Sequence, residues 1–442
     1  MMGGGLAGIA AAIRLLDSGH PVTLVEKHPY LGGRASSFND PESGAEVDIG
    51  QHVFLRCCTS YIELLERLGT LSLARIQPRL HVKVVGPGAR VAALAASPLP
   101  APLHLLPSFL TYSHLSTREK LQALYATLRA RLTNRQEPQL EEQSFHQWLK
   151  EKRQSERAIE NLWDLLVLAT LNDRSRGVSA AMGLMVFQEA FLKSRHGADI
   201  GYAATSLSHA VGEAARKHIL QGGGRLLLGT GISGLAIERE GMLGVRLEDA
   251  ETLVARWYVS ALPHHALMAL LPAKVADEPF FARFRGLSSS PIVNLHVWYD
   301  QQVMDDELMA FVGSPLQWAF NKTRMQGEDE SRGQYLAVSL SGAGEYIHKS
   351  DEELAEAFLP QIASAFPRAR EARLLRFLAT REERATFRPA PGTARLRPPA
   401  VTPIPGLLLA GDWTDTGWPS TMEGAVRSGN SAAELIARGG EE

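Results

Sequence analysis

The stretch that decides the fold is Gly3-Gly4-Gly5-Leu6-Ala7-Gly8, a G-x-G-x-x-G pattern near the start of the chain. Its glycines permit a tight turn, a close approach of the backbone to a pyrophosphate and close packing of the next helix, whose N-terminus faces the negative charge. The spacing predicts that helix over residues 6–16 and a buried strand over 22–25. Glu26 follows 21 residues after Gly5, where a carboxylate can accept the ribose hydroxyls of a dinucleotide.

The strand that should precede this pattern is missing from the chain. Only Met1 and Met2 come before Gly3, whereas the first strand of a dinucleotide-binding domain is normally central in its sheet. Two interpretations are open: the chain start is misplaced, or the nucleotide-binding domain is damaged.

Three further motifs are suited to binding a charged ligand. Leu31-Gly32-Gly33-Arg34 joins paired glycines to a guanidinium that can neutralise phosphate, and Val47-Asp48-Ile49-Gly50-Gln51-His52 follows it. Near the other end, Leu409-Ala410-Gly411-Asp412-Trp413 indicates a buried strand that ends in Gly-Asp, followed by a helix over residues 420–437. The free N–H groups at the start of that helix would point at a ligand acceptor.

This ordered set of motifs resembles the FAD-dependent amine oxidase and phytoene desaturase superfamily. Further stretches are similar to its squalene-associated branch, the hydroxysqualene dehydroxylases of bacterial hopanoid synthesis: DIGQH at 48–52, ATLN at 169–172, PIVN at 291–294, QW at 317–318 and GDWTDTG at 411–417. The resemblance covers nearly the whole chain. It implies an α/β fold in which a Rossmann-like FAD-binding domain is interleaved with an α+β substrate domain.

The positions of the motifs predict discontinuous domains. We expect the FAD-binding domain to comprise residues 1–75, 196–265 and 401–442. We expect the substrate-binding domain to comprise residues 76–195 and 266–400, with a helical insertion.

The resemblance also implies which residues hold FAD. It assigns the ADP half to the glycine motif and its neighbours, the adenine surroundings to Ile232, the pyrophosphate and ribityl groups to Gly411 and Asp412, and the isoalloxazine to the backbone N–H of Met422. The residues assigned to the ADP half are Gly3, Gly5, Leu6, Ala7, Gly8, Glu26, Lys27, Gly33 and Arg34. Non-covalent binding is expected, because Cys57 and Cys58 lie far along the chain from Met422.

The reaction implied by the resemblance is reductive removal of the allylic hydroxyl of hydroxysqualene, which gives squalene. The candidates for the acid are His52, Gln51 and Asp415. For His52 the alternative is a hydrogen bond to flavin or backbone, and for Asp415 it is a helix cap or a ribityl contact. The rival functions are a carotenoid desaturase, a flavin amine oxidase and a non-enzymatic prenyl-lipid carrier of the same fold.

Composition excludes several other classes of protein. The chain has 46 Lys plus Arg against 48 Asp plus Glu, a formal charge of −2, which does not fit a general nucleic-acid binder. Two adjacent cysteines exclude a disulfide scaffold or a thiolate zinc cage and favour the cytoplasm. The histidine spacing indicates no metal site. The sequence gives no indication of oligomeric state.

One long uncharged segment lies between Arg90 and Arg118. Its prolines argue against a membrane-spanning helix. Two interpretations are open: peripheral contact with the inner face of a membrane, or a buried loop and helix that line an internal cavity. The residues concerned are the apolar Leu103, Leu105, Leu106, Phe109, Leu110 and Tyr112, and the basic Arg118, Lys120, Arg129, Arg131 and Arg135.

Overall fold

A parallel sheet forms the centre of the nucleotide-binding region in the computed structural model, which describes residues 1–42, 44–238 and 240–439. Thr23–Glu26 pairs with Arg225–Leu228, and Tyr258–Ser260 pairs with Leu407–Leu409. Met2 joins the two pairs, because it bridges in parallel to Val25 on one side and to Ser260 on the other.

Met1 and Met2 thus occupy the central position of the sheet, where the sequence had indicated a missing strand. The N–H of Met2 donates to the Val259 carbonyl over 2.9 Å, and the N–H of Ala261 donates to the Met2 carbonyl over 2.8 Å. The flanking strands have four and three residues, and Met1 accepts a hydrogen bond from the Val25 N–H over 2.9 Å. The sheet is therefore continuous despite the short first strand.

The two ends of the chain meet beside this sheet. The first helix, Leu6–Asp17, packs against the final helix, Met422–Gly439. A Cβ atom at Gly429 would lie 2.2 Å from the Ala7 carbonyl oxygen, so only glycine fits there. This close approach places the glycine motif and the Gly411-Asp412 motif in one site.

A second, larger sheet belongs to the region predicted to bind substrate. Val293, Leu295 and Val297 of its long strands are fully buried and share a core with the helix Asp351–Ala365. Ser350 caps that helix in a capping box with Glu353. The spatial order of the strands is Leu374–Phe387, Ser289–Tyr299, Gln334–Ser341, Trp318–Asn321, Leu308–Phe311, His81–Gly86 and Arg90–Ala95.

The segment between residues 103 and 196 is mainly helical, as predicted. Its core contains stacked and edge-on aromatic rings, with Trp163 and Phe187 at a centroid distance of 4.7 Å. Among the described residues, no helix has the length and apolar character needed to cross a membrane. The helices are Leu106–Thr111, Thr117–Leu132, Pro138–Glu142, Phe145–Glu151, Glu156–Ala158, Asp164–Leu171 and Ala180–Val186, with π-helical turns at Ile159–Trp163 and Phe187–Leu192.

The remaining elements connect these parts. The small sheets comprise Ser37–Asn39 with Glu46–Asp48, Val53–Leu55 with Ile200–Ala203 and Ala74–Ile76, and Ile232–Glu238 with Gly241–Leu247 and Thr252–Leu253. The remaining helices are Thr59–Arg67, Ser208–Glu213 (a π-helical turn), Ala214–Gln221, His264–Leu270, Ala273–Ala276, Pro279–Ala282 and Lys322–Gln326.

Candidate functional site

The glycine motif forms an open cradle at the start of the first helix. Gly5 is the N-cap, and no protein atom lies within 4 Å of the position that a Cβ would take there. Gly33 approaches from the opposite side, since its own Cβ would lie 3.0 Å from the Gly5 Cα. The free N–H groups of the helix therefore face an open space of the kind that takes a pyrophosphate.

Glu26 is held at the edge of this cradle. Its Oε2 accepts a hydrogen bond from the Gly4 N–H over 2.7 Å, and its Oε1 accepts one from the His28 N–H over 2.9 Å. Ile232 begins its strand near Glu26, because Thr230, two residues earlier, donates its N–H to the Glu26 carbonyl. Lys27 is exposed. The open cradle, the Glu26 carboxylate and the apolar Ile232 are together suited to the ADP half of FAD.

Arg34 and Asp412 form an ion pair between the second motif and the last one. A guanidinium nitrogen of Arg34 lies 2.7 Å from Asp412 Oδ1, and the Ser420 hydroxyl donates to Oδ2 of the same carboxylate. Burial alone would raise the pKa of Asp412, but Arg34 and Ser420 outweigh it and hold that pKa below its usual range. The carboxylate is therefore ionised and fixed in place.

Arg397 organises the loop after Asp412, and sequence reasoning missed it. Its buried guanidinium donates to the carbonyl oxygens of Thr414 and, over 2.8 Å, Trp418. It also lies 4.7 Å from the centre of the Phe387 ring. The only sequence signal is its place in the proline-rich stretch, which does not reveal a contact with residues 15 to 21 positions away.

Glu423 anchors the start of the final helix. This fully buried carboxylate accepts hydrogen bonds from the N–H groups of Ser60 and Tyr61, over 3.2 and 2.8 Å, in the first turn of the helix Thr59–Arg67. Arg427 pairs with it at 2.6 Å. The two hydrogen bonds of Glu423 hold Met422 against the segment that carries Cys57 and Cys58. Met422 is the residue expected to face the isoalloxazine.

Met422 and Trp418 line an apolar cavity of about 440 Å³. Its wall also contains Gln51, the two cysteines, aromatic residues of the helical segment, and Leu103 and Leu128, which are partly exposed. Further lining residues are Leu105, Leu106, Phe109, Leu124, Arg131, Trp163, Leu166, Thr170, Phe187, Glu189 and Glu423.

The cysteines lie nearer to Met422 than their chain positions suggest. Both line the same cavity as Met422, so distance along the sequence does not exclude a cysteinyl link to flavin. The hydrogen bond with Cys57, together with burial, raises the pKa of the Cys58 thiol well above its usual range. A protonated thiol is a poor nucleophile, but the same hydrogen bond lowers the pKa of the Cys57 thiol. Non-covalent binding of FAD therefore stays a prediction.

The structure separates the three candidates for the catalytic acid. Within the described residues, Gln51 lines the cavity, whereas His52 and Asp415 do not. His52 Nδ1 lies 2.8 Å from the Gly50 carbonyl oxygen, which is the backbone bond named above as its alternative. Burial lowers the pKa of His52. Asp415 is exposed.

A buried polar network joins the glycine-rich motifs to the larger sheet. Lys322 Nζ lies 2.8 Å from Asp48 Oδ2, and both side chains are almost fully buried. His296 Nδ1 lies 2.6 Å from the Tyr335 hydroxyl, and its Nε2 lies 3.1 Å from Thr380 Oγ1. Burial lowers the pKa of His296 to about 3, so its imidazole is neutral.

Comparisons with known proteins agree with this geometry. The profile of the family described as flavin containing amine oxidoreductase matches residues 6–437. The 15-cis-phytoene desaturase of Synechococcus elongatus is 25% identical over 98% of this chain and 94% of its own length. The zeta-carotene desaturase of Zea mays is also 25% identical, over 100% of this chain and 84% of its own length.

Solved structures of other oxidoreductases share the fold. An oxidoreductase from Methanosarcina mazei superposes with a TM-score of 0.76 at 18% identity, over 98% of this chain and 99% of its own. Cyclohexylamine oxidase from Brevibacterium oxydans superposes with a TM-score of 0.72 at 20% identity, over 100% of this chain and 98% of its own.

Proposed function

The chain belongs to the flavin containing amine oxidoreductase family, whose cofactor is FAD, and from this premise we propose that it removes the hydroxyl group of hydroxysqualene reductively to give squalene. The bond between carbon and the hydroxyl oxygen breaks, a hydride equivalent forms the new C–H bond, and the departing hydroxyl takes up a proton and leaves as water. The two electrons come from an external reductant by way of the reduced cofactor. FAD supplies the hydride chemistry when bound. The chain's own residues bind the substrate, orient its hydroxyl and exclude water.

The volume and apolar lining of the cavity support a hydrocarbon substrate. A volume of about 440 Å³ falls within the usual range of small-molecule sites. Its lining is supplied mainly by leucine and aromatic side chains of the helical segment. Binding an isoprenoid chain against such a wall is favourable, because it removes apolar surface from water. The wall also keeps water from the reacting carbon.

The single observation that carries the proposal of an alcohol substrate is the amide of Gln51. Its Oε1 is buried on the cavity wall and has no hydrogen-bond partner among the described residues. An unpaired buried acceptor costs about 1–3 kcal/mol. A substrate hydroxyl would donate to it, whereas a pure hydrocarbon would leave it unpaired. We therefore assign Gln51 the role of positioning the allylic hydroxyl.

The charged groups of the cavity do not favour an amine substrate. Among the described lining residues the carboxylates are Glu189 and Glu423, and each is paired with an arginine of the protein. Burial alone would raise the pKa of Glu189, but Arg135 and Lys193 outweigh it and hold that pKa below its usual range. Neither carboxylate is free to bind a substrate ammonium.

A carotenoid desaturase is the second candidate function, because two relatives found by sequence carry that name. It would use the same apolar cavity and move hydride in the opposite direction, from substrate to FAD. Nothing in the cavity of such an enzyme would need the Gln51 acceptor.

The two functions are separated by assays in parallel. The purified holoenzyme is incubated with hydroxysqualene and a reductant, and with phytoene and an oxidant. We expect squalene from the first. Gln51→Leu should lower kcat/KM for the alcohol at least tenfold. Thr170→Val is the matched control on the same wall, because the Thr170 hydroxyl already donates to the Leu166 carbonyl over 2.7 Å.

Three results would contradict the proposal. Turnover of phytoene alone would favour the desaturase, and peroxide release on mixed amines would favour an amine oxidase. A protein without flavin absorbance, even after addition of FAD, would favour a carrier.

A further inference from the structure

We propose that this protein binds the surface of an anionic lipid bilayer through one face, and that the apolar cavity opens into the bilayer there. This docking face consists of Leu99, Leu103, Leu110, Leu121, Tyr125, Leu128 and Leu132. The inference rests on the proposed function in one respect, since a hydrocarbon substrate dissolved in lipid would need such an entrance.

The helix Thr117–Leu132 presents apolar side chains to solvent as well as to the core. Ala123, Ala126 and Ala130 are buried against the protein. On the outside, Leu121, Tyr125, Leu128 and Leu132 recur every three or four residues and form one stripe. Leu121 is 65% exposed and Leu132 is 69% exposed. A contiguous exposed stripe of this kind marks an interaction site.

The cavity reaches the surface within this stripe. Leu103 is 50% exposed and Leu128 is 55% exposed, yet both also line the cavity. Leu106 and Leu124, the next residues inward, are half-buried and line it as well. A molecule that leaves the cavity between Leu103 and Leu128 therefore passes directly onto the docking face.

Both interpretations of the uncharged segment thus apply to different residues. Leu105, Leu106 and Phe109 line the cavity, whereas Leu110 is exposed on the docking face. Tyr112 is fully buried, and its hydroxyl donates to the Asn161 carbonyl over 2.8 Å. It takes no part in the face.

The charge around the docking face selects an anionic partner. Residues 91–136 contain five Lys or Arg and one acid, Glu119, although the whole chain has a formal charge of −2. Arg118, Arg129 and Arg131 are exposed. This distribution complements anionic headgroups. It disfavours a second copy of the chain, because two such faces would repel each other in a symmetric dimer.

The test is flotation of the purified holoenzyme with vesicles of phosphatidylcholine, alone or mixed with phosphatidylglycerol. We expect binding to the mixed vesicles and weaker binding to the neutral ones. Leu121→Glu/Leu132→Glu should reduce binding at least tenfold. Arg118→Gln/Arg129→Gln should reduce binding to the mixed vesicles by about fivefold per arginine. None of these four residues lines the cavity.

Leu220→Glu is the matched control, because Leu220 is equally an exposed leucine on a helix but lies outside the docking face. It should bind vesicles like the wild type. Circular dichroism melting checks that each variant is folded. With substrate in detergent, the leucine variants should keep their activity; with substrate in mixed vesicles, they should lose it.

The binding measurement needs no turnover, so its failure is distinct from a failure of the proposed function. Wild-type protein that stays unbound to the mixed vesicles, or leucine variants that bind as well as the wild type, would overturn the proposal. Sedimentation that shows a dimer for the wild type and a monomer for the leucine variants would overturn it too. That result would assign the face to a second copy of the chain.

Discussion

Arg34 and Asp412 are 378 positions apart in the sequence, yet an Arg34 guanidinium nitrogen lies 2.7 Å from the Asp412 carboxylate. The same guanidinium donates to the Ala385 carbonyl, and Asp412 accepts from Ser420. The ion pair and the hydrogen bond to Ala385 thus join three distant segments at the place where the pyrophosphate of FAD is expected. Loss of this ion pair should lower both the stability of the fold and the affinity for FAD.

Replacing Arg34 should therefore destabilise the protein. Arg34→Ala leaves the buried Asp412 carboxylate without its cation, and we expect a loss of about 1–3 kcal/mol in the free energy of unfolding, together with weaker FAD retention. Urea denaturation and visible absorbance measure the two effects. Arg285→Ala is the control, because its pair with Asp277 is exposed and should change stability by less than about 1 kcal/mol.

Acid should remove the advantage of the Arg34 pair. Since the folded-state pKa of Asp412 is lowered, its contribution is present above the unfolded pKa of about 3.9 and is lost as pH falls through the folded pKa. The stability difference between wild type and Arg34→Ala should shrink in that range. A difference that grows on acidification would contradict the prediction.

The glycine motif offers a test that separates folding from cofactor binding. Gly5→Ala meets no protein atom within 4 Å and should leave the stability of the protein without FAD nearly unchanged, yet its methyl group would occupy the open cradle and reduce FAD affinity at least tenfold. Gly8→Ala would place a Cβ 2.0 Å from the Gly3 carbonyl oxygen and should prevent proper folding. Titration with FAD and thermal melting distinguish the two. Full FAD affinity in Gly5→Ala would disprove the cradle.

The buried Glu423 should be important for stability. Glu423→Ala removes two hydrogen-bond acceptors from the helix Thr59–Arg67 and leaves Arg427 unpaired, so we expect a loss of about 2–4 kcal/mol in the free energy of unfolding. Glu434→Ala, on the same helix, is the control: its contact with Arg14 is longer, at 3.6 Å, and more exposed. Equal losses in the two variants would contradict this role.

His296 should make the protein acid-sensitive. Its folded pKa of about 3 lies below the unfolded value of about 6.5, so the unfolded state binds the proton between these pH values. Stability should fall by about 1.4 kcal/mol per pH unit from this group as pH drops through that window. His296→Gln should reduce the slope. Tyr335→Phe keeps the His296 imidazole, so this variant should retain the slope of stability against pH.

Local sequence signals predicted several elements closely. Short apolar runs next to glycines predict strands over residues 225–228 and 232–238, and the structure has strands with the same bounds, Arg225–Leu228 and Ile232–Glu238. The N-cap at Ser350 is also set by its immediate neighbours. The sequence also predicts strands over residues 244–247 and 292–299. The structure begins these strands three residues earlier, as Gly241–Leu247 and Ser289–Tyr299, because strand pairing rather than composition decides where a strand begins.

The site was predictable only in part. The motif pattern identified the glycine cradle, Glu26, Arg34 and Asp412, since each belongs to a short segment with its own geometric requirement. Sequence could not rank Gln51 above His52, because adjacent side chains point in different directions and only the folded backbone decides which one reaches the cavity. No sequence signal revealed the contacts of Arg397 and Lys322, since local patterns do not encode contacts with partners further along the chain.

By itself, the sequence determined where the chain turns and which segments form helices and strands, because these depend on glycine conformations and on the periodicity of apolar residues. The flavin-binding fold followed from the resemblance of its ordered motifs to a known superfamily. Only the tertiary structure decided how Met1 and Met2 occupy the central strand, which contacts join the two ends of the chain, and that an apolar cavity opens between Leu103 and Leu128. Those features depend on packing between residues that are far apart in sequence, which no local pattern encodes.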